Sequence, residues 1–294
     1  MSEAPFGRRL LTVTGNHQLG AYRVLRAADP DGPPAAPGQF AMIAAAEHWG
    51  GGEEQRPYLP RAFSIARLRG HECHFLLEDV GPGTRRLCQL RAGEELWALG
   101  PLGRGFTTGA RDLDRRRALL VGGGVGIAPL AILQDTLAGE TAAAGARAAV
   151  SVAAADCDGS ASVGAATVLL GFRDRARAEG AALLDGARVA TDDGSVGYHG
   201  LVTELLADEL QRDPHAVVYA CGPAAMLERV RAMCERSAVP AQLALEAGMA
   251  CGFGACFGCV VPKRGGGHLR VCVDGPVIDA AELEQVDAHA GSPA

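Results

Sequence analysis

The sequence predicts a multidomain chain of α/β plus β class: an antiparallel β domain, a parallel α/β domain, and a small cysteine-rich module at the end. Three observations carry this. From about 10 to 106, short strand-like runs alternate with Gly/Pro turns. Beyond 117, continuous apolar strands alternate with glycine turns and helical segments, the texture of a doubly wound sheet. After Pro240, four cysteines fall at C-x4-C-x2-C-x12-C spacing.

In the first segment, "LLTVTGN", "QFAMIAA", "RAFSIARL", "CHFLLEDVG" and "ELWALGPLG" read as strands of a barrel or sandwich. "PDGPPAAPG" and "EHWGGGEEQRPYLP" read as loops, "GPGT" (81–84) and "GPLGRGF" (100–106) as turns. "HECH" (71–74) is not expected to hold a metal, because on a strand His71 and Cys73 share a face and His74 points away. The run Arg115-Arg116-Arg117, after Asp112 and Asp114, reads as a solvated linker. The expected domains are therefore 1–112, 113–240 and 241–294.

In the second segment, "LLVGGGVGIAPL" places Gly122, Gly123, Gly124 and Gly126 between a buried strand and a helix with Pro129 in its first turn. Such a loop lets backbone approach a pyrophosphate at a helix N-terminus. "YACGPAAML" ends another strand in Cys221-Gly222-Pro223, where ligands of open α/β sheets sit, although a plain turn would look similar. The Ala/Gly/Ser-rich stretch 139–166 is expected to hold a helix end, one strand around "ARAAVSVA" and a loop.

Cys251, Cys256 and Cys259 with the distant Cys272 have the plant-type [2Fe–2S] arrangement; a structural zinc would favour two C-x2-C pairs. Gly252, Gly254 and Gly258 would let the loop fold closely, with N–H groups aimed at sulfur. The other five cysteines are scattered, and most of them read as small buried apolar residues, with Cys221 set apart.

The chain has 294 residues, 48% hydrophobic and 21% charged, with net charge −6, which argues against a nucleic-acid footprint. The longest apolar run, 118–133, is broken by glycines and Pro129, so no membrane span is expected. The N-terminal ten residues lack a signal-peptide core, and nine cysteines is an odd number, which together point to the reducing cytoplasm.

Taken in order, "GGGVGIAPL", "LLGFRD", "TDDGSVGYHG", "YACGPAAM", "MACGFGACFGCVV" and "RVCVDGPVID" resemble the ferredoxin-reductase superfamily, and within it the electron-transfer subunits of class 1B dihydroorotate dehydrogenases, over residues 10–278. The resemblance implies an antiparallel FAD-binding β-barrel, a Rossmann-like parallel α/β domain for NAD, and a small C-terminal [2Fe–2S] module. Arg61, Ala62, Phe63 and Ser64 would approach the flavin, with Leu76, Leu77, Glu78, Gly83 and Thr84 completing the FAD site. The four glycines with Cys221, Gly222 and Pro223 would face the nicotinamide nucleotide, and the four cysteines would ligate the cluster. A partner is implied too, an FMN-containing dihydroorotate dehydrogenase catalytic subunit in a heterotetramer of two of each. No proton-abstracting base stands out here, so dihydroorotate oxidation belongs on that partner.

Phe63 stands where the family commonly has leucine or isoleucine, Glu78-Asp79 where a cation is common, and 50–52 looks inserted. Related subunits of ferredoxin:NADP oxidoreductase, sulfide dehydrogenase or hydrogenase complexes, and a non-catalytic regulatory subunit, share the expected fold. Arg173 could meet a 2′-phosphate, which Asp174 beside it opposes.

Overall fold

The structure, a computed structural model, describes residues 7–49, 59–108, 116–151 and 166–286. The 50–52 insertion and Cys157 lie outside the described residues.

The first segment closes into a six-stranded antiparallel barrel. Its elements are β1 (Arg9–Leu19), β2 (Tyr22–Ala28), β3 (Phe40–Ala45), β4 (Arg61–Arg69), β5 (Glu72–Glu78), the helix α1 (Pro82–Cys88) and β6 (Glu95–Leu102), with strand order β1-β2-β5-β4-β3-β6. Alternate side chains such as Leu25, Ile43, Phe75, Leu77 and Leu96 fill the interior. Closure leaves no strand of the barrel without a neighbour on each side, although β4 and β5 part near one end. Two local expectations are corrected. β2 falls in a stretch not read as a strand, because Arg23 and Arg26 obscure its apolar alternation. "GPGT" opens α1 rather than a simple turn; Leu87 of that helix is fully buried against the barrel. Asn16 Nδ2 ties down the helix end, reaching the Leu87, Cys88 and Leu90 carbonyls at 3.1, 3.2 and 2.9 Å.

The second segment runs β7 (Arg117–Gly123), a 3₁₀ turn at Gly124–Ile127, α2 (Ala128–Ser151), β8 (Thr167–Phe172), α3 (Arg175–Ala178), a 3₁₀ turn at Glu179–Leu183, β9 (Arg188–Thr191), β10 (Tyr198–His199), α4 (Val202–Arg212), β11 (Ala216–Cys221), α5 (Ala224–Arg236) and β12 (Ala241–Ala244). Then come β13 (Val260–Pro262), β14 (His268–Arg270) and β15 (Val277–Asp279). The sheet order is β10-β9-β8-β7-β11-β12-β15, parallel throughout except for the antiparallel β15. The cysteine module thus supplies the last strand of the nucleotide sheet, while β13 and β14 form a separate hairpin.

Two further expectations are corrected. Helix α2 continues through Ser151 where a strand was expected, because alanine favours helix and its companions there include no run of β-branched residues. Arg117 is not part of a solvated linker. It starts β7 and ion-pairs with the buried Glu209 of α4, with its Nη2 also donating to the Glu209 and Asp213 carbonyls at 3.1 and 3.2 Å.

Barrel and sheet are held in one arrangement by polar contacts. Arg67 of β4 binds Asp135 of α2 and the Leu183 carbonyl. Arg177 of α3 grips Glu78 of β5 at 2.8 Å, and Ala21 N–H donates to the Ala176 carbonyl at 2.9 Å. Phe106 meets Tyr219 edge-on, 5.6 Å between ring centres. Among the described residues no helix is long and apolar enough to cross a membrane.

Candidate functional site

Three structural features carry the residues singled out in the sequence. The first is the cysteine loop. The β13–β14 hairpin pairs Val260 with Arg270 and so brings the flanking Cys259 and Cys272 together, 3.2 Å between sulfurs. Both are buried, Cys251 is half-buried and Cys256 is exposed. Main-chain N–H groups point at the sulfurs: Gly258 to Cys256 at 3.4 Å, Cys272 to Cys259 at 3.4 Å, and those of Cys256, Phe253 and Ala255 to Cys251.

The thiol chemistry follows. Burial works against ionising Cys251, but the N–H donors and the Cys256 thiol outweigh it and bring that thiol down to about 6. Cys272 is pushed up to about 12 by burial and by the neighbouring Cys259 sulfur. Packed thiols of this kind cannot all ionise without a cation to hold their charge. The sulfurs fall into two pairs, Cys251 with Cys256 and Cys259 with Cys272, which suits one pair on each iron of a two-iron cluster. Among the described residues no three of these ligands converge closely enough to hold a single ion, so what fits a [2Fe–2S] group is the thiol chemistry, the two pairs and their N–H shell.

The loop rests on the barrel. A Cβ at Gly252 would lie 2.5 Å from Met42 Cγ of β3 and 3.3 Å from Leu102 Cδ1 of β6. Outward, Phe253 and Phe257 are 47% and 62% exposed, and the Arg270 guanidinium lies 5.4 Å from the Phe257 ring centre. Sequence reasoning noted the small residues of this loop and missed these aromatics as a surface.

The second feature is a slot in the barrel wall. Strands β4 and β5 pair from Arg69–Glu72 as far as Ile65–Phe75 and then part. Beyond that point Arg61–Ser64 pair only with β3, and Leu76–Glu78 only with β2, so two main-chain edges face each other unpaired. Unpaired edges seek hydrogen-bonding partners, and a planar polar ring system can supply them. At the end of the slot, Gly83 lets the Arg61 side chain lie close: a Cβ there would be 2.9 Å from Arg61 Nε. Arg61 Nη1 donates to the Leu59 carbonyl at 2.6 Å.

The residues expected at the flavin site lie along these two edges and at the start of α1, in different ways. Ser64 and Phe63 are half-buried on β4, and Ala62 is exposed. Leu76 and Leu77 bury their side chains in the cores, so they offer the slot only main chain. Thr84 Oγ1 accepts from the Val80 and Gly81 N–H groups at 2.9 and 3.0 Å, shaping the loop. Glu78 and Asp79 do not stand as free anions: Glu78 is engaged by Arg177, and Asp79 by Arg85 at 3.3 Å. Arg177, about a hundred residues away in sequence, was not foreseen.

The third feature lies at the carboxyl ends of β7 and β11, the switch point where the chain winds outward in both directions. Gly122 packs under Leu170 and Ile127, Gly123 against Met226 and Pro223. A Cβ on Gly126 would sit 2.6 Å from the Cys221 carbonyl carbon and from Gly222 Cα. Gly124, at φ +55°, has nothing within 4 Å of where a Cβ would be, so its backbone borders open space. The Cys221 thiol is wholly enclosed, and burial, with the Glu246 charge nearby, raises it well above the ordinary range. Glu246 follows β12; solvent reaches it, yet the surrounding protein raises its carboxyl. It was missed by sequence reading, its only signal being a lone acid between the last parallel strand and the cysteine loop.

The iron–sulfur cluster binding domain model of dihydroorotate dehydrogenase B matches residues 246–284. A dihydroorotate dehydrogenase B (NAD(+)) electron transfer subunit of Geobacillus thermodenitrificans is 36% identical, over 94% of this chain and 98% of its own. The same-named subunit of Geobacillus kaustophilus is 38% identical over 84% of this chain and 86% of its own. In solved structures, a chain of the NADH-dependent reduced ferredoxin-NADP oxidoreductase superposes with TM-score 0.72 at 23% identity, over 95% of this chain and 91% of its own. A ferredoxin reductase of carbazole 1,9a-dioxygenase superposes at 0.58 and 20% identity, over 79% of this chain and 66% of its own. These two likenesses establish the fold.

Proposed function

The chain belongs to the family of dihydroorotate dehydrogenase B (NAD(+)) electron transfer subunits, and we propose that it passes electrons from a catalytic partner through a [2Fe–2S] cluster and FAD to NAD+ in pyrimidine biosynthesis. The partner is read as an FMN-containing dihydroorotate dehydrogenase subunit, in a complex of two of each. The observation that carries the reading is the cysteine loop: four thiols in two pairs under main-chain N–H groups, seated on the barrel wall, with one ligand at the surface.

A [2Fe–2S] cluster exchanges electrons singly, a nicotinamide takes a hydride, and a flavin does both, so holding the three in one chain links one- and two-electron carriers. The chain's own residues supply the arrangement. Cys251, Cys256, Cys259 and Cys272 would hold the cluster, and the N–H groups of Ala255, Cys256 and Gly258 would steady charge on sulfur. The unpaired edges at Arg61–Ser64 and Leu76–Glu78 would bind the flavin, with Arg61, beside Gly83, reaching its phosphates. Gly122, Gly123, Gly124 and Gly126, with Cys221, Gly222 and Pro223, would present backbone to the dinucleotide. Phe253, Phe257 and Val260 border the exposed Cys256, and an apolar surface at that ligand supports docking of the partner there. The described cysteines are all free thiols, in keeping with a reducing compartment.

The test is co-purification with the catalytic subunit, followed by iron, sulfide and flavin analysis. About two irons and about one FAD per chain are expected. Dihydroorotate should reduce NAD+ only in the complex. A colourless chain containing zinc would overturn the assignment.

A further inference from the structure

One thioether packs on both glycine loops of the β7–β11 edge. Met226 is the third residue of α5, and helical side chains lean back toward the N-terminus of their helix, so this one reaches over the loop that precedes α5. A Cβ on Gly123 would lie 2.8 Å from Met226 Sδ and 3.0 Å from Pro223 Cδ. One on Gly222 would lie 2.6 Å from Met226 Cε and 3.0 Å from the Gly123 nitrogen. The two loops therefore touch each other, and the Met226 side chain closes over their junction.

This methionine is also open to attack. It is half-buried, Pro223 beside it is exposed, and Gly124, next to Gly123, borders open space. Solvent, and a small oxidant dissolved in it, comes up to this side chain. Two others serve as references. Met42 lies under the cysteine loop and is buried, whereas Met233 is half-buried on the core about two turns further along α5.

We propose that Met226 is a redox-modification site: a hydroperoxide oxidises its thioether to the sulfoxide, and the sulfoxide weakens dinucleotide binding until a methionine sulfoxide reductase reverses it. The proposal rests on the reading of the β7–β11 edge as the dinucleotide site. In the oxidation, a sulfur lone pair attacks hydrogen peroxide. An S–O bond forms as the O–O bond breaks, sulfur gives up two electrons, and the second oxygen leaves as water. A flexible apolar side chain becomes a polar one with an oxygen to place. Around it stand glycine main chain and a proline ring, with no room for an added carbon at either glycine. The oxygen therefore parts the two loops or stays unpaired, and either disturbs the backbone offered to the dinucleotide.

The test uses the purified holo-complex, hydrogen peroxide as the oxidant and NAD+ as the calorimetric probe, with visible absorption confirming that the cluster survives the dose. Peptide mass spectrometry should show the mass of one oxygen gained at Met226 before Met42. NAD+ affinity should fall about tenfold in step with that gain, and methionine sulfoxide reductases of both epimer specificities should restore it. Met226→Leu, compared with its own untreated form, should change by less than about twofold at the same dose. Met226→Gln, which sets a polar amide where the sulfoxide would stand, should start from weakened affinity and lose little more. The proposal is overturned if Met226 stays unmodified at a dose that oxidises Met233, if its oxidation leaves NAD+ affinity within about twofold, or if the reductases do not reverse the loss. The same loss in Met226→Leu would overturn it too. If NAD+ fails to bind the untreated wild-type complex, the dinucleotide-site reading itself falls, and the proposal falls with it.

Discussion

At the scale of single residues, the cysteine loop depends on one absent methyl group. Gly252 follows the first cysteine at φ +80°, a left-handed backbone that other residues adopt only with strain. Its missing side chain also lets the loop lie on Met42. Gly252→Ala must therefore both strain the backbone and lift the loop, at about 1–3 kcal/mol. The expected result is lower iron content per chain and faster loss of the cluster's visible absorption in air, with the barrel's circular dichroism unchanged. Glu209 is a second such residue. Buried on α4, it is shared by Arg117, Arg188 and Arg212, and although burial alone would raise its carboxyl, those guanidiniums hold it below the usual range. A folded-state value below the unfolded one adds stability that is present above about pH 4.3 and is lost as pH falls through the folded value. Glu209→Gln should thus cost on the order of 2 kcal/mol near neutral pH, less than a fully buried pair because the arginines reach solvent. The difference from wild type in urea midpoint should shrink as pH is lowered toward 3.

At the scale of elements, the turn between β7 and α2 fits the end of β11 so closely that Gly126 tolerates no side chain. A methyl group there would lie 2.6 Å from the Cys221 carbonyl. Gly126→Ala should push the two loops apart and abolish NADH binding in a calorimetric titration; unchanged binding would remove this loop from the dinucleotide site. This element was legible in the sequence because the glycines, the preceding apolar strand and Pro129 are all local signals. The cysteine spacing was legible for the same reason, since a hairpin of twelve intervening residues returns Cys272 to Cys259. What could not be read is what depends on distant partners. Strand β2 hides its alternation behind arginines, the parting of β4 and β5 is a property of pairing, and the occupation of Asp174 and Glu78 follows from Arg177 lying at a domain junction. Alanine-rich 139–151 misled for a different reason, since no local feature marks where α2 stops.

At the scale of the whole molecule, the cysteine module contacts both of the other parts. Its strand β15 completes the nucleotide sheet beside β12, its loop lies on β3 and β6 of the barrel, and Arg104 N–H of the barrel's exit bonds the Gly275 carbonyl. Charged contacts fasten its far side: Arg264 meets Glu235 of α5 at 2.8 Å, and Val286 N–H donates to Glu228 at 2.8 Å. The barrel has its own closed core, and the parallel sheet has helices on it, so both are expected to persist without metal. The module is different: β13 and β14 have three residues each, and the loop that carries Cys251 and Cys256 has no strand or helix of its own. Its order should come from the cluster, since ligand binding to the folded form is itself folding free energy. Removing iron with a chelator under reducing conditions should therefore raise amide hydrogen exchange over 246–274 by at least tenfold. Exchange in β1–β6 and β7–β9 should stay within about twofold, because local opening there does not require the module to unfold. Equal protection of 246–274 with and without iron would mean that the hairpin and its ion pairs suffice, and that the cluster only occupies a preformed cradle.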